Sequence, residues 1–358
     1  MPSNASGAAG TVPGTPDSTV TSAAPRSFYD RVQDKHLVAL WTVPGTDQAH
    51  PEPPEVPHVW RWREIEPLLT EACTTMDLGE DAQRRALNAV NPARRFGTTH
   101  TMIVGYQAVL PGETAPAHRH TPSAIRFMLA GRGHTVVNGE PVLMERGDLV
   151  LTPPWAWHDH RNDGDEPMVW LDGLDVPFVK TMHAHFYEDH PSQGLQDVAL
   201  GEDSSVASYP AGLVAVGARP DLPYSPLTKY PWRTSHASLR RLLAESDTPA
   251  RGVTLEYVNP LTGGPVLPTL ACELSLLPPG GRSAARRETA SVVCCVAEGS
   301  GHTVIGGQRF GWERNDFFAI PPWTWYEHVS EGTDDAVLFV MSDRPLLQPF
   351  ALYRAQTA

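Results

Sequence analysis

The sequence predicts a mainly β protein: two jelly-roll-like antiparallel β-barrels in tandem, with a helical N-terminal arm and a helical connector. Three observations lead there. At 358 residues the chain is long enough for two cores. From about residue 101 onward, short apolar runs alternate with turn residues, as in an antiparallel barrel. A shift of 168 residues also lays one half over the other without a gap. It carries Pro111-Gly112 onto Pro279-Gly280 and Pro153-Pro154-Trp155 onto Pro321-Pro322-Trp323.

Residues 1–27 are rich in Ser, Thr, Ala, Gly and Pro with little to bury, so a disordered tail is expected. Residues 28–92 read as a mostly helical arm. Leu37, Leu40 and Trp41 fall at helical spacing, Pro51 to Pro57 form a crossing, and Trp60-Arg61-Trp62-Arg63 leads toward Pro67-Leu68-Leu69. The first barrel is placed at 93–180. Its opening run, 101–110, is apolar on both faces save Gln107, which faces either solvent or a cavity. Phe127-Met128-Leu129-Ala130 and His134-Thr135-Val136-Val137 follow. Then comes Asn138-Gly139, a strong hairpin signal because both residues tolerate the positive φ of a type I′ turn. Val142-Leu143-Met144 and Leu149-Val150-Leu151 continue the meander. Residues 181–250 form a connector with a helix expected from Thr234 to Glu245, and the second barrel occupies 251–358.

The repeat serves as an internal control. Gly131, Gly133, His134 and Thr135 recur as Gly299, Gly301, His302 and Thr303, and Trp157 recurs as Trp325. Three histidines do not recur: His118 becomes Arg286, His120 becomes Glu288 and His158 becomes Tyr326. In a strand His118 and His120 point the same way, about 7 Å apart at their Cα atoms. Two imidazoles so placed, with a third from a paired strand, suit one metal ion. Arginine has no free lone pair for a cation, so the second barrel is expected to be metal-free and structural. Arg126 and Asp172 become Cys294 and Val340, and charges present only beside the proposed metal are functional candidates, because a buried charge is costly without a partner. His160 recurs as His328, which weakens a catalytic reading of it. The pair His183 and His185 lies outside a turn-bounded strand and is read as surface or packing.

The formal charge of −13 argues against nucleic acid, which needs a basic footprint. Cys73, Cys272, Cys294 and Cys295 show no ligand spacing, which fits a reduced, cytoplasmic protein. No run approaches the eighteen or so apolar residues of a membrane span, and no secretion signal is apparent.

The segments Gly112 to His120 and Gly147 to Asn162 match the two motifs of the cupin family. A cupin glutamate usually follows the second histidine after a gap of three or four residues; Ala124 and Ile125 stand there, leaving three histidines and no carboxylate. Such a face leaves about three coordination positions open, which favours a chelating anion plus dioxygen; zinc also fits. More specifically, the chain resembles the gentisate 1,2-dioxygenase family, which includes salicylate and 1-hydroxy-2-naphthoate dioxygenases. The likeness rests on Ala115 to Thr121, Trp157-His158-Asp159-His160, Trp170 to Asp175, Tyr257 to Pro265 and Trp60-Arg61-Trp62-Arg63.

The resemblance implies one Fe(II) per chain on His118, His120 and His158, with O2 as co-substrate. It implies a small aromatic carboxylic acid opened between its carboxyl- and hydroxyl-bearing carbons, and a homotetramer. Arg126 would pair with the substrate carboxylate, His160 would handle a proton, Asp172 would orient its neighbours and Gln107 would line the pocket. One of Arg84 and Arg85 is expected to reach inward; the sequence does not choose between them, and Arg85 is carried as the substrate-binding candidate. Relatives are expected to have an aromatic residue where this chain has Ile103, which suggests a 5-substituted salicylate, such as 5-nitrosalicylate, beside gentisate itself. The competing readings are a metal-binding cupin isomerase and a non-catalytic bicupin binding protein.

Overall fold

The computed structural model describes residues 26–77, 84–209, 213–217 and 221–358. The expected tail, 1–27, lies almost wholly outside the described residues. The described residues fall into two compact units, one ending at Ala49 and the other beginning at His50. In the first, Phe28–Gln33 is a helix with a Ser27–Asp30 capping box, and Leu40–Thr42 is a 3-10 turn in place of the expected helical run. His36, at φ 56°, breaks the helical path between them.

Among the described residues, the second unit holds both barrels, each a six-stranded sheet facing a five-stranded one. In the N-terminal barrel the larger sheet runs Lys229–Tyr230, Leu149–Thr152, Ala124–Ala130, Met168–Leu174, Ile103–Val109, Arg85–Asn88. The smaller runs Tyr187–Asp189, Thr114–His120, His158–Arg161, Gly133–Val137, Glu140–Met144. All pairings within them are antiparallel. Asn138 and Gly139 both have positive φ, 47° and 82°, as the two-residue turn demanded. Val109, Met128, Val142, Met144, Val150, Met168 and Trp170 fill the space between the sheets. A larger core on the outer face joins the two barrels through Tyr106, Phe127, Phe317 and Phe339.

The arm and connector differ from expectation. Residues 28–92 contain helix Trp62–Thr75, but also strands His58–Trp60 and Arg85–Asn88. The first of these strands pairs with Phe317–Ile320 in the C-terminal barrel. Reciprocally, Lys229–Tyr230 of the connector pairs with Leu149–Val150 in the N-terminal barrel. Each is followed by a helix, Trp62–Thr75 and Trp232–Ala244. Neither helix is capped by its own N-cap side chain. Instead Asp316 Oδ1 accepts from Trp62 N–H, and Asp148 Oδ1 from Trp232 N–H, both at 2.8 Å. Asp148 and Asp316 are themselves related by the repeat. The two halves are therefore laced together, and the repeat reaches past the expected boundaries to the matching edge strands Tyr187–Asp189 and Ala355–Thr357.

A second exchanged contact joins the barrels. Asp175 accepts from Ser123 N–H at 2.8 Å and from the Thr269 hydroxyl at 2.5 Å. Asp343 accepts from Ser291 N–H at 2.8 Å and from the Thr101 hydroxyl at 2.5 Å. Each carboxyl thus bonds one residue of its own half and one of the other. Burial pushes both up to about 6. Among the described residues, no helix is long and apolar enough to cross a membrane.

Candidate active site

His118 and His120 lie two apart on Thr114–His120, and His158 sits directly across from His118 in register. Alternation puts all three on the inner face. Their rings approach to 5.3 Å (118–120), 4.2 Å (118–158) and 4.8 Å (120–158) between centroids. One ring nitrogen of each lies within 4.8 Å of the others.

Backbone carbonyls turn the rings. His120 Nδ1 donates to the Pro122 carbonyl at 2.7 Å and His158 Nδ1 to that of Ala156 at 3.0 Å; His118 Nδ1 lies 3.3 Å from that of Pro116. A carbonyl only accepts, so at His120 and His158 the proton belongs on Nδ1 and the Nε2 lone pair is left for the site, whereas His118 Nδ1 also meets the guanidinium of Arg84, which only donates. Burial, and then the neighbouring Arg84, holds His118 down to about 2; burial holds His120 down to about 4 and His158 well below its ordinary value. Three neutral imidazoles with one ring nitrogen each drawn together fit a divalent transition metal.

The same inner face of the barrel collects most of the other candidates. Ile103 and Gln107 share a strand face with Gly105, which pairs with Asp172. Gln107 is buried, and its amide Nε2 has no hydrogen-bond partner. Arg126 pairs with Asp172 in register, and their Nε and Oδ1 atoms are 3.4 Å apart. Arg126 donates to the Thr152 hydroxyl through Nη1, while its Nε lacks a hydrogen bond. Arg126 as a whole is 3% exposed. Burial lowers the pKa of Arg126 and raises that of Asp172, each disfavouring the charge.

His160 shares the inner face with His158, and its ring centre is 5.0 Å from that of Trp170. Its counterpart His328 bonds the Thr303 hydroxyl through Nδ1 at 2.8 Å. In the N-terminal barrel the equivalent Thr135 hydroxyl turns to the Asp159 carbonyl, and His160 Nδ1 is left buried without a partner. The recurrence of this histidine therefore hides a difference in how it is held.

Arg85 does not line the site. It pairs with Ala108, whose side chain belongs to the outer core, so strand parity turns it away. It bonds Glu113 and the Met76 carbonyl instead. Arg84 is the inward residue: its guanidinium lies against His118 Nδ1 and donates to the Pro116 carbonyl at 2.6 Å. Tyr187 was not anticipated. Its ring stacks on His118 at 5.2 Å and 24°. The repeat read past both expected bounds of the first barrel, 93 and 180, would have flagged both, because Arg84 falls on Gly252 and Tyr187 on Ala355.

His183 and His185 are exposed and fall outside the histidine group. Trp155 and Trp157 hold Arg119 between them at 4.4 Å each, and Trp323 and Trp325 hold Arg287 at 4.4 and 5.0 Å. Their recurrence is thus explained by a repeated packing unit. His134 is fixed by Asp163 and Glu202.

The cupin domain family matches residues 105–174 and 273–342, two spans related by the same shift. Gentisate 1,2-dioxygenase 1 of Aquipseudomonas alcaligenes is 37% identical over 334 residues, 92% of this chain and 95% of that protein. The 5-aminosalicylate 1,2-dioxygenase of a Comamonas species is 38% identical, covering 84% and 81%. The crystal structure of salicylate 1,2-dioxygenase from Pseudoaminobacter salicylatoxidans with gentisate superposes with a TM-score of 0.86 at 35% identity, covering 92% of each chain. With its paired barrels and these relatives, the chain belongs to the gentisate 1,2-dioxygenase family of bicupin ring-cleaving dioxygenases.

Proposed function

We propose that the chain opens a 2-hydroxybenzoate, gentisate or a 5-substituted salicylate, between its carboxyl- and hydroxyl-bearing carbons with O2. The reading includes one Fe(II) per chain on His118, His120 and His158, catalysis confined to the N-terminal barrel, a cytoplasmic setting and a homotetramer. The observation that carries it is the buried Arg126, its Nε without a hydrogen bond, on the same inner face of the barrel as three imidazoles drawn together.

Ferrous iron, when bound there, supplies a common template for the acid and dioxygen and the electrons that allow the two to react. The chain's own residues do the rest. The buried guanidinium of Arg126 suits a carboxylate, and a charge-assisted bond of this kind is about twice as strong as a neutral one. Asp172 holds that guanidinium in place from the adjacent strand. Gln107 offers an amide N–H to a ring substituent. Arg84 adds positive charge behind His118, which favours an anionic ligand. His160, neutral and with one nitrogen free, is placed to take or return the hydroxyl proton.

Ile103 supports the 5-substituted choice, since it lines the same strand face as Gln107 with a smaller side chain than an aromatic. So does the likeness to a 5-aminosalicylate enzyme. The test is anaerobic Fe(II) loading followed by oxygen uptake on gentisate, salicylate, 5-amino- and 5-nitrosalicylate. Iron near one per chain and turnover of at least one of these acids are expected; iron loading without oxygen uptake on any would sink the reading. A large preference for gentisate would end the 5-substituted version alone.

A further inference from the structure

The C-terminal barrel holds a cavity of about 240 Å³ where the N-terminal barrel has its metal centre. Arg286, Tyr326, His328, Glu273 and Ser275 line it. On the repeat these stand in place of His118, His158, His160, Gly105 and Gln107. Glu288, in place of His120, is buried beside them. It accepts from Arg286 Nη2, from the Tyr326 hydroxyl at 2.9 Å and from the Tyr353 hydroxyl at 3.1 Å.

Two features set this lining apart from scaffold. A barrel that only had to stand would gain by replacing buried charge with apolar side chains, because desolvating an ion costs several kcal/mol. The same barrel does so elsewhere, packing Trp312, Phe318, Ile320 and Leu338. The cavity is also opened by small residues: Gly252 falls where the N-terminal barrel has Arg84, and Ser275 where it has Gln107. The space exceeds the roughly 30 Å³ of one water several-fold and approaches the lower end of ordinary small-molecule sites, about 300 Å³.

The charge in the wall is specific. Arg286 carries five N–H donors, of which Glu288 engages one edge, and the side chain stays 37% exposed. Arg251 stands in the same wall. His328 is tied to Thr303 and held neutral, down to about 3, by burial and by Arg286. Burial pushes Glu273 up, toward its uncharged acid. Leu277 and Val340 supply an apolar side.

We propose that this cavity is a second ligand site, which binds a small organic carboxylate on Arg286 and leaves it unreacted. The ligand is either an aromatic acid or the acyclic dicarboxylate that ring opening yields; the carboxylate is what both share. The aromatic source rests on the function proposed above, but the site itself does not.

Calorimetric titration of the anaerobic, Fe(II)-loaded protein with benzoate, and separately with adipate, tests it. A carboxylate site is expected that His118→Ala leaves intact, that Ser275→Leu fills, and that Arg286→Gln weakens at least 10-fold. Ser275→Leu should keep iron content and oxygen-uptake kcat. Binding by benzoate identifies the aromatic source, and binding by adipate the acyclic one. If neither probe binds the wild type, or if Arg286→Gln leaves all binding unchanged, the proposal is overturned. Loss of the iron-centred reading would show instead as binding sensitive to Arg286→Gln in a protein that takes up no iron.

Discussion

Arg126 sits in the barrel with one partner hydroxyl, one carboxylate at 3.4 Å and a bare Nε–H. Arg126→Ala should raise KM for the aromatic acid about 10- to 100-fold, the worth of a hydrogen bond to a charged group at roughly 1.5–3 kcal/mol. Iron content should stay at wild-type level; unchanged KM by steady-state oxygen uptake would remove Arg126 from substrate binding. The neighbouring pair gives a sharper contrast. Arg84→Met should alter kcat and KM with little change in Tm, while Arg85→Met should lower Tm and leave KM alone, since Arg85 serves Glu113 on the outer side. The three histidines were legible because two-residue spacing and their joint loss in the second copy both point to one face. Arg84 against Arg85 was not, because consecutive residues on a strand differ only in parity. Parity needs the register, and 85–88 did not read as a strand.

At the scale of elements, the barrel strands and the hairpin at Asn138-Gly139 followed from alternation and turn chemistry. The exchanged strands did not, and the reason is length. His58–Trp60 and Lys229–Tyr230 have three and two residues, too few to show a period. The helices after them also match two residues off the main shift, Trp62-Arg63 on Trp232-Arg233, so the overlay at 168 misses them. The paired carboxyls that bridge the barrels carry a pH prediction. Asp175 and Asp343 titrate near 6 when folded, against an ordinary 3.8, so the folded state holds their protons more tightly. Stability from this source is full below about pH 3.8 and is lost as pH rises through about 6. Asp343→Asn should flatten the fall in urea midpoint between pH 4 and 6; an unaltered slope would show that Asp343 does not set it.

Across the whole molecule, the larger sheet of each barrel is completed by a strand from the other half's sequence, and each following helix is capped across the same boundary. A chain ended at residue 225 would leave Leu149–Thr152 as an open edge, a recognised aggregation hazard. Expressed alone, residues 1–225 should fail to give a monodisperse species on size exclusion. Co-expression with 226–358 should restore one that binds iron. A folded, iron-binding 1–225 would contradict the mutual dependence.

That lacing bears on how such a chain can change over generations. Deleting the copy that has no histidine triad would tear the other copy open, which is reason enough for its backbone to be retained. Its hollow interior is under no such tether, and drift can rewrite those side chains while the histidine triad next door stays intact. A duplicated fold of this kind therefore carries a built-in spare chamber, available for a new guest without risk to the old chemistry.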